Sequence, residues 1–274
     1  MAGDETACGS LILVGCGKMG TAMLRGWIAG NAASRFVVVE PVGAPPGFTC
    51  GGSVEWHTET ETLVDEPAPD AVVFAVKPQV VDAVVPFYRR WVCPQTVFIS
   101  IVAGKNLTGF TRLLGAAALI RTMPNAPAAI GRAITVACAN PLVIPAQRRL
   151  CDRLLSAIGE SAWVEDESLM DAVTAVSGSG PAYVFLLIEA LARAGEAEGL
   201  PPELALRLAR NTVAGSGELA RVSDEHPALL RENVTSPGGT TRAALDVLMA
   251  GDGLEQLIRR AVTAAATRSR GLAS

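Results

Sequence analysis

The apolar and polar positions of this chain follow two regimes that change near residue 165. Before that point, short continuous apolar runs alternate with helix-length stretches. Leu11–Val14, Phe36–Val39, Ala71–Val76, Thr96–Ile101, Ala118–Thr122 and Ile134–Ala137 read as strands, and a helix is predicted from Lys18 to about Ala29. Continuous apolar strands separated by helices mark a parallel sheet covered on both faces. The stretch 41–69 is rich in Pro, Gly and Thr and reads only as irregular. After residue 165 no strand-like run recurs. Ser177-Gly178-Ser179-Gly180-Pro181 is expected to break the chain, and Pro181 to open a helix ending near Glu198. Further helices are predicted up to about Val222, near Thr241–Ala250 and over Leu254–Arg270.

The helix after Pro181 is apolar on nearly every face, through Tyr183, Val184, Phe185, Leu186, Leu187, Ile188 and Leu191. Such a helix must be buried all round. The few remaining helices cannot enclose it, so a second subunit is expected to cover it. Glu189, in the same helix, is expected to need an ion partner. The fold predicted is α/β. A flexible leader (1–10) precedes a doubly wound N-terminal domain over residues 11–165. An all-helical dimerisation and substrate domain follows over 166–274.

Composition narrows the function. Of 274 residues, 50% are hydrophobic and 18% charged, enough for large cores. A net charge of −4 argues against a nucleic-acid partner. No run reaches the roughly 18 uninterrupted apolar residues of a membrane span, so none is expected. The six cysteines form no C-x-x-C pair and only two histidines, His57 and His226, accompany them, so no metal site is predicted. Met1–Ser10 carries two acids and no base, unlike a signal peptide. Scattered thiols suit a reducing compartment, and a cytoplasmic protein is expected.

The strongest local signal is Gly15-Cys16-Gly17-Lys18-Met19-Gly20, between the first strand and the first helix. Its glycines allow a tight turn, close approach of a pyrophosphate, and close helix–strand packing. Alone the pattern is weak, because similar turns occur for packing only. Here Glu40 ends the second strand twenty residues past Gly20, where a Rossmann-like fold places an acid for the adenosine ribose. Ala75, Val76 and Lys77 end one later strand, and Val102 and Ala103 another. Small residues at such ends let a nicotinamide and its ribose lie against backbone. NADH or NADPH is therefore the expected cofactor. NADH is favoured, because Glu40 would face a 2′-phosphate and 41–50 holds no base.

The segments AVKPQ (75–79), SIVAG (100–104), RTMPNAPAAIG (121–131), TAVSGSGPAYVF (174–185) and NVTSPGGTT (233–241) resemble the motifs of pyrroline-5-carboxylate reductases, in order and spacing. The resemblance spans nearly the whole chain from Leu11. It implies hydride transfer to the C=N carbon of 1-pyrroline-5-carboxylate, giving L-proline, in a homodimer or a larger assembly of dimers. It also implies that Thr241 touches the substrate nitrogen, and that Asn233 contacts cofactor.

Read on its own terms, the Ser236–Thr241 loop offers backbone N–H groups and hydroxyls at a helix start, which suits a carboxylate. Ser236, Gly238, Gly239, Thr240 and Thr241 are the candidate substrate ligands, with Thr235 a further hydroxyl. Arg121 is expected to shape the pocket floor or to pair with an acid. Two departures from the family pattern stand out. Glu40-Pro41-Val42-Gly43 lacks the polar or basic group that many members carry there, and Asn211 replaces a common glutamine. Rival readings are a reductase of a related cyclic imine, a hydroxyacid dehydrogenase, and a non-catalytic dinucleotide-binding dimer. The second is disfavoured because no lysine follows Lys105 to act as acid.

Overall fold

A computed structural model describes residues 8–48 and 52–272. Its eight strands are β1 (Cys8–Val14), β2 (Ala33–Val39), β3 (Val54–His57), β4 (Ala71–Phe74), β5 (Val97–Ser100), β6 (Ala118–Met123), β7 (Ala133–Ala139) and β8 (Gly159–Trp163). They form one sheet in the order β3-β2-β1-β4-β5-β6-β7-β8. β1 to β6 run parallel, and the chain reverses its direction of winding between β1 and β4. Ligands of such sheets lie outside the strand ends at that point.

Side chains alternate across each strand, so successive apolar residues feed two different cores. Leu11, Leu13, Val73 and Ile99 join one with α1 (Lys18–Ala29) and α4 (Pro145–Ser156). Ile12, Val14, Val72 and Phe98 join the other with α2 (Val81–Val84) and α3 (Leu107–Leu114). Trp27 shows how tightly α1 is seated: its ring stacks near Phe36 and its Nε1 donates to the Leu154 carbonyl at 2.8 Å.

Several expectations need correction. The sheet is not wholly parallel, because β7 pairs antiparallel with β6. Residues 124–132 between them are fewer than the dozen or so that a parallel crossover needs. β3 and β8 are additional strands, and both lie at the sheet edges. An edge strand has no continuous apolar run to betray it. β1 begins at Cys8, so 8–10 belong to a strand instead of a leader, and residues 1–7 lie outside the described residues.

The helices that follow are α5 (Met170–Val173), α6 (Gly180–Ala197), α7 (Pro202–Val222), α8 (Pro227–Asn233), α9 (Thr240–Leu248) and α10 (Leu254–Leu272). Between α5 and α6 the backbone passes through a π-helical turn at Thr174–Gly178. Ser179 is then the N-cap of α6, with Pro181 in its first turn as expected, and the helical path as a whole runs from Glu167 to Ala197. By length and composition that path is apolar enough to cross a membrane, which counting uninterrupted apolar residues did not register.

Two compact units emerge: 8–178 together with 266–272, and 179–265. In this division 166–178 stays with the sheet unit, for a physical reason. Met170 is fully buried in a cluster with Met123 and Cys138. The Ser269 hydroxyl donates to Asp171 at 2.6 Å. Both segments thus pack with the sheet unit. In the other unit α6 packs along α7, burying Ala192, Ala205 and Ala209. Phe185 and Leu186 remain 58% and 57% exposed in the single chain. Glu189 pairs with Arg193 at 3.5 Å, and both side chains are more than half exposed, so the chain alone imposes no burial cost there.

Candidate active site

The glycine turn leaves β1 at Val14. Gly15 sits at φ +90°, and a Cβ there would lie 2.8 Å from the Ala75 carbonyl oxygen. Gly20 approaches so closely that a Cβ would lie 2.5 Å from the Gly15 carbonyl oxygen. Those two glycines are fixed by the protein's own packing. Gly17 is not: among the described residues, no atom beyond its chain neighbours lies within 4 Å of where its Cβ would be. Its bare backbone precedes the first turn of α1, where unpaired N–H groups favour an anion. Thr21 Oγ1 donates to the Cys16 carbonyl at 2.9 Å and steadies the turn. Burial pushes the Cys16 thiol above its ordinary range, so it stays protonated.

A cavity of about 530 Å³ opens at the ends of β1, β2, β3 and β4, within the size range of ligand sites. It brings together Gly15, Gly17, Glu40, Ala75, Val76 and Lys77 from the sequence candidates. Cys16 and Gly20 are buried in the adjoining turn, Met19 is half-buried there, and Lys18 is exposed at the start of α1. Val102 and Ala103 follow the next strand, β5, outside the cavity lining. Thr58, Glu59, Thr60 and Glu61 also line the cavity. Sequence reasoning missed them because their strand, β3, was unassigned. The Thr/Glu alternation after His57 was the available signal.

Glu40 does not point freely to solvent. Its Oε2 accepts from Cys16 N at 2.6 Å, and Oε1 accepts from Val42 N at 3.3 Å. The carboxylate is thus pinned across the glycine turn. Arg35, on the same strand, is clamped elsewhere: Nη2 donates to Glu55 at 2.6 Å and Nη1 to Glu66 at 2.7 Å. The guanidinium holds both carboxyls below their ordinary range. Among the described residues, the cavity lining holds three carboxylates (Glu40, Glu59, Glu61) and a single base, Lys77.

The second candidate loop connects α8 to α9. Gly238 takes φ +69°, Gly239 N donates to the Ser236 carbonyl at 3.1 Å, and Gly239 is the N-cap of α9. Among the described residues, no side chain caps that helix. The hydroxyls of Ser236, Thr240 and Thr241 bond no other group among the described residues. Exposed donors at an uncapped helix start are an arrangement able to receive a carboxylate.

The chain is similar to known proteins over nearly its whole length. A "Pyrroline-5-carboxylate reductase" of Pseudomonas aeruginosa is 37% identical over 267 residues, 96% of each chain. The chain belongs to the pyrroline-5-carboxylate reductase family. A family model described as "Pyrroline-5-carboxylate reductase dimerisation" matches residues 167–272. The solved pyrroline-5-carboxylate reductase of Coxiella burnetii superposes with a TM-score of 0.88 at 30% identity, covering 98% of this chain and all of its own. The pyrroline carboxylate reductase of Plasmodium falciparum, solved with NADP bound, gives 0.81 at 29% identity, covering 97% of this chain and 98% of its own.

Other candidate residues have partners of their own. Thr235 donates its hydroxyl to the Arg231 carbonyl at 2.6 Å, so it is occupied in closing α8 and is not a free donor of the loop. Asn233 ends α8, with its amide 3.3 Å from Glu225. His226 is the N-cap of α8, accepting from Ala228 N, and His57 bonds Thr62. Arg121 is 3% exposed and takes the acid-paired option, Nη1 meeting Glu167 at 3.0 Å. Glu167 also accepts from Leu107 N at 2.8 Å, an anchoring role that sequence reasoning did not assign. Asn211 bonds back to the Arg207 carbonyl within α7.

Proposed function

We propose that this enzyme reduces 1-pyrroline-5-carboxylate to L-proline, the last step of proline biosynthesis, and takes its hydride from NADH in preference to NADPH. The family supports the reaction. The observation that supports the cofactor preference is the acid-lined cavity with Glu40 pinned to Cys16 N. The residues fit a dinucleotide: Gly17 leaves open space before α1, where a pyrophosphate would sit, and Glu40 and Glu59 would meet the adenosine ribose. When bound, the nicotinamide supplies a hydride to C5 of the substrate iminium.

The chain's own part is to bind and orient. Ser236 and the backbone of Gly238, Gly239 and Thr240 hold the substrate carboxylate. Thr241 directs its hydroxyl oxygen at the ring nitrogen. A neutral hydroxyl suits this position, because a fixed cation beside an iminium would oppose its charge. As C5 gains the hydride, the C=N π pair becomes the nitrogen lone pair, and the amine then takes a proton from water. No acid in the loop is required.

The exposed face of α6 and the dimerisation match over 167–272 support a homodimer that covers Phe185 and its neighbours. The free thiols of Cys16, Cys93, Cys138 and Cys151 support a cytoplasmic location. The reaction is tested with NADH dideuterated at C4. Mass analysis of the product should find one deuterium at C5 of proline, and proline without the label would refute direct transfer.

A further inference from the structure

The segment after β5 is clasped at three places. Ile101 N donates to the Phe74 carbonyl at 3.1 Å, which fixes its start to β4. Leu107 N donates to Glu167 at 2.8 Å, which fixes its end. Between them Gly104 takes φ +73° and faces the last turn of α10. A Cβ on Gly104 would lie 2.8 Å from Leu272 Cβ and 3.2 Å from the Leu272 carbonyl oxygen.

That last turn is itself tied down. Ser269 is 5% exposed and its hydroxyl donates to Asp171 at 2.6 Å. Asp171 and Glu167 lie one helical turn apart in sequence, so a single short segment anchors both the loop's end and the turn that backs its middle. Arg121 holds Glu167 from β6 at 3.0 Å. None of these groups lines the cavity described above.

We infer that the last turn of α10, through Ser269 and Leu272, is a positioning element for hydride transfer: it sets where Val102 and Ala103 lie. The inference rests on the proposed nicotinamide contact of Val102 and Ala103. Ser269 and Leu272 touch neither cofactor nor substrate. They act through Gly104, and a shift of a fraction of an ångström in the loop alters the donor–acceptor distance. The adenosine half of the cofactor, bound at the ends of β1 to β3, is unaffected.

The test compares Ser269→Ala, Ser269→Thr, Gly104→Ala and Ala103→Leu in the full chain. Each is assayed for kcat, for KM of NADH, and for the primary deuterium isotope effect with C4-labelled NADH. Ser269→Ala should lower kcat about fivefold to tenfold, leave the KM of NADH within about twofold, and change the isotope effect on kcat. Ser269→Thr keeps the hydroxyl and should restore all three, which mere damage to folding would not explain. Gly104→Ala should act in the same direction and more strongly, because its Cβ meets Leu272.

A Ser269→Ala enzyme with unchanged kcat and isotope effect overturns the inference. So does a loss of kcat that follows the folded fraction with the isotope effect unmoved. Ala103→Leu separates the underlying reading. If it leaves kcat and the isotope effect untouched, the nicotinamide contact falls and the inference falls with it. If it acts while Ser269→Ala does not, only the positioning role is refuted.

Discussion

Replacing Glu40 with serine should move the enzyme toward NADPH. The carboxylate is held 2.6 Å from Cys16 N and also accepts from Val42 N, so it cannot swing away from an incoming 2′-phosphate without losing both bonds. The nearest base on its strand, Arg35, is already divided between Glu55 and Glu66. One pair of like unit charges about 4 Å apart costs about 4 kcal/mol at an effective dielectric near 20, and a phosphate monoester carries about −1.5 to −2. The cavity is open to solvent and salt, which reduces the net penalty to about 2–3 kcal/mol. That corresponds to a preference for NADH of about thirtyfold to a hundredfold or more. Glu59 and Glu61 remain in Glu40→Ser, so only part of the preference disappears, and a drop of about tenfold in the ratio is expected. The assay is kcat/KM for both cofactors at one saturating imine concentration. Serine also abandons Cys16 N, but that loss affects both cofactors alike and cancels in the ratio. A wild-type ratio favouring NADPH, or a ratio unmoved by the substitution, would refute the reasoning.

Thr241→Val should keep the fold and cofactor binding yet lower turnover by about tenfold to a hundredfold, since one oriented hydrogen bond is worth about 1–3 kcal/mol; unchanged steady-state kinetics would end that assignment. Arg35→Met should alter the acid dependence of stability. Glu55 and Glu66 titrate below their ordinary range because Arg35 bonds them. Their contribution is therefore complete above about pH 4.5 and fades as pH falls through the lowered values. For partly exposed groups it amounts to about 1 kcal/mol. The Tm gap between wild type and variant should be larger at pH 6 than at pH 3, and an equal gap would contradict the ion-pair account. Sedimentation at micromolar concentration should show a dimer that Phe185→Glu dissociates; a fully active wild-type monomer would refute it.

What could be read in the sequence follows from where each element sits. Central strands β1, β2, β4, β5 and β6 are covered on both faces, so their continuous apolar runs announced them. The helix starting at Lys18 was marked by the glycine turn that precedes it. The edge strands β3 and β8 carried no such run. Missing β3 hid Glu59 and Glu61, because a strand end cannot be placed without its strand. Ser177–Pro181 looked like a break because glycine and proline disfavour an ordinary helix, and there a π-helical turn ends at Gly178 while α6 opens at Gly180 with Pro181 in its first turn. The loop hydroxyls were countable, yet the diversion of Thr235 to the Arg231 carbonyl depends on where α8 ends. Arg121 lay on a recognisable strand, but its acid, Glu167, is 46 residues away and no local pattern joins them.

The most direct test is the nicotinamide absorbance change on mixing the purified enzyme with NADH and 1-pyrroline-5-carboxylate, with proline quantified in the same sample. The account predicts one L-proline formed for each NADH consumed, and a higher kcat/KM than with the six-membered piperideine carboxylate. Loss of NADH without proline, no loss at all, or faster turnover of the larger ring would contradict it.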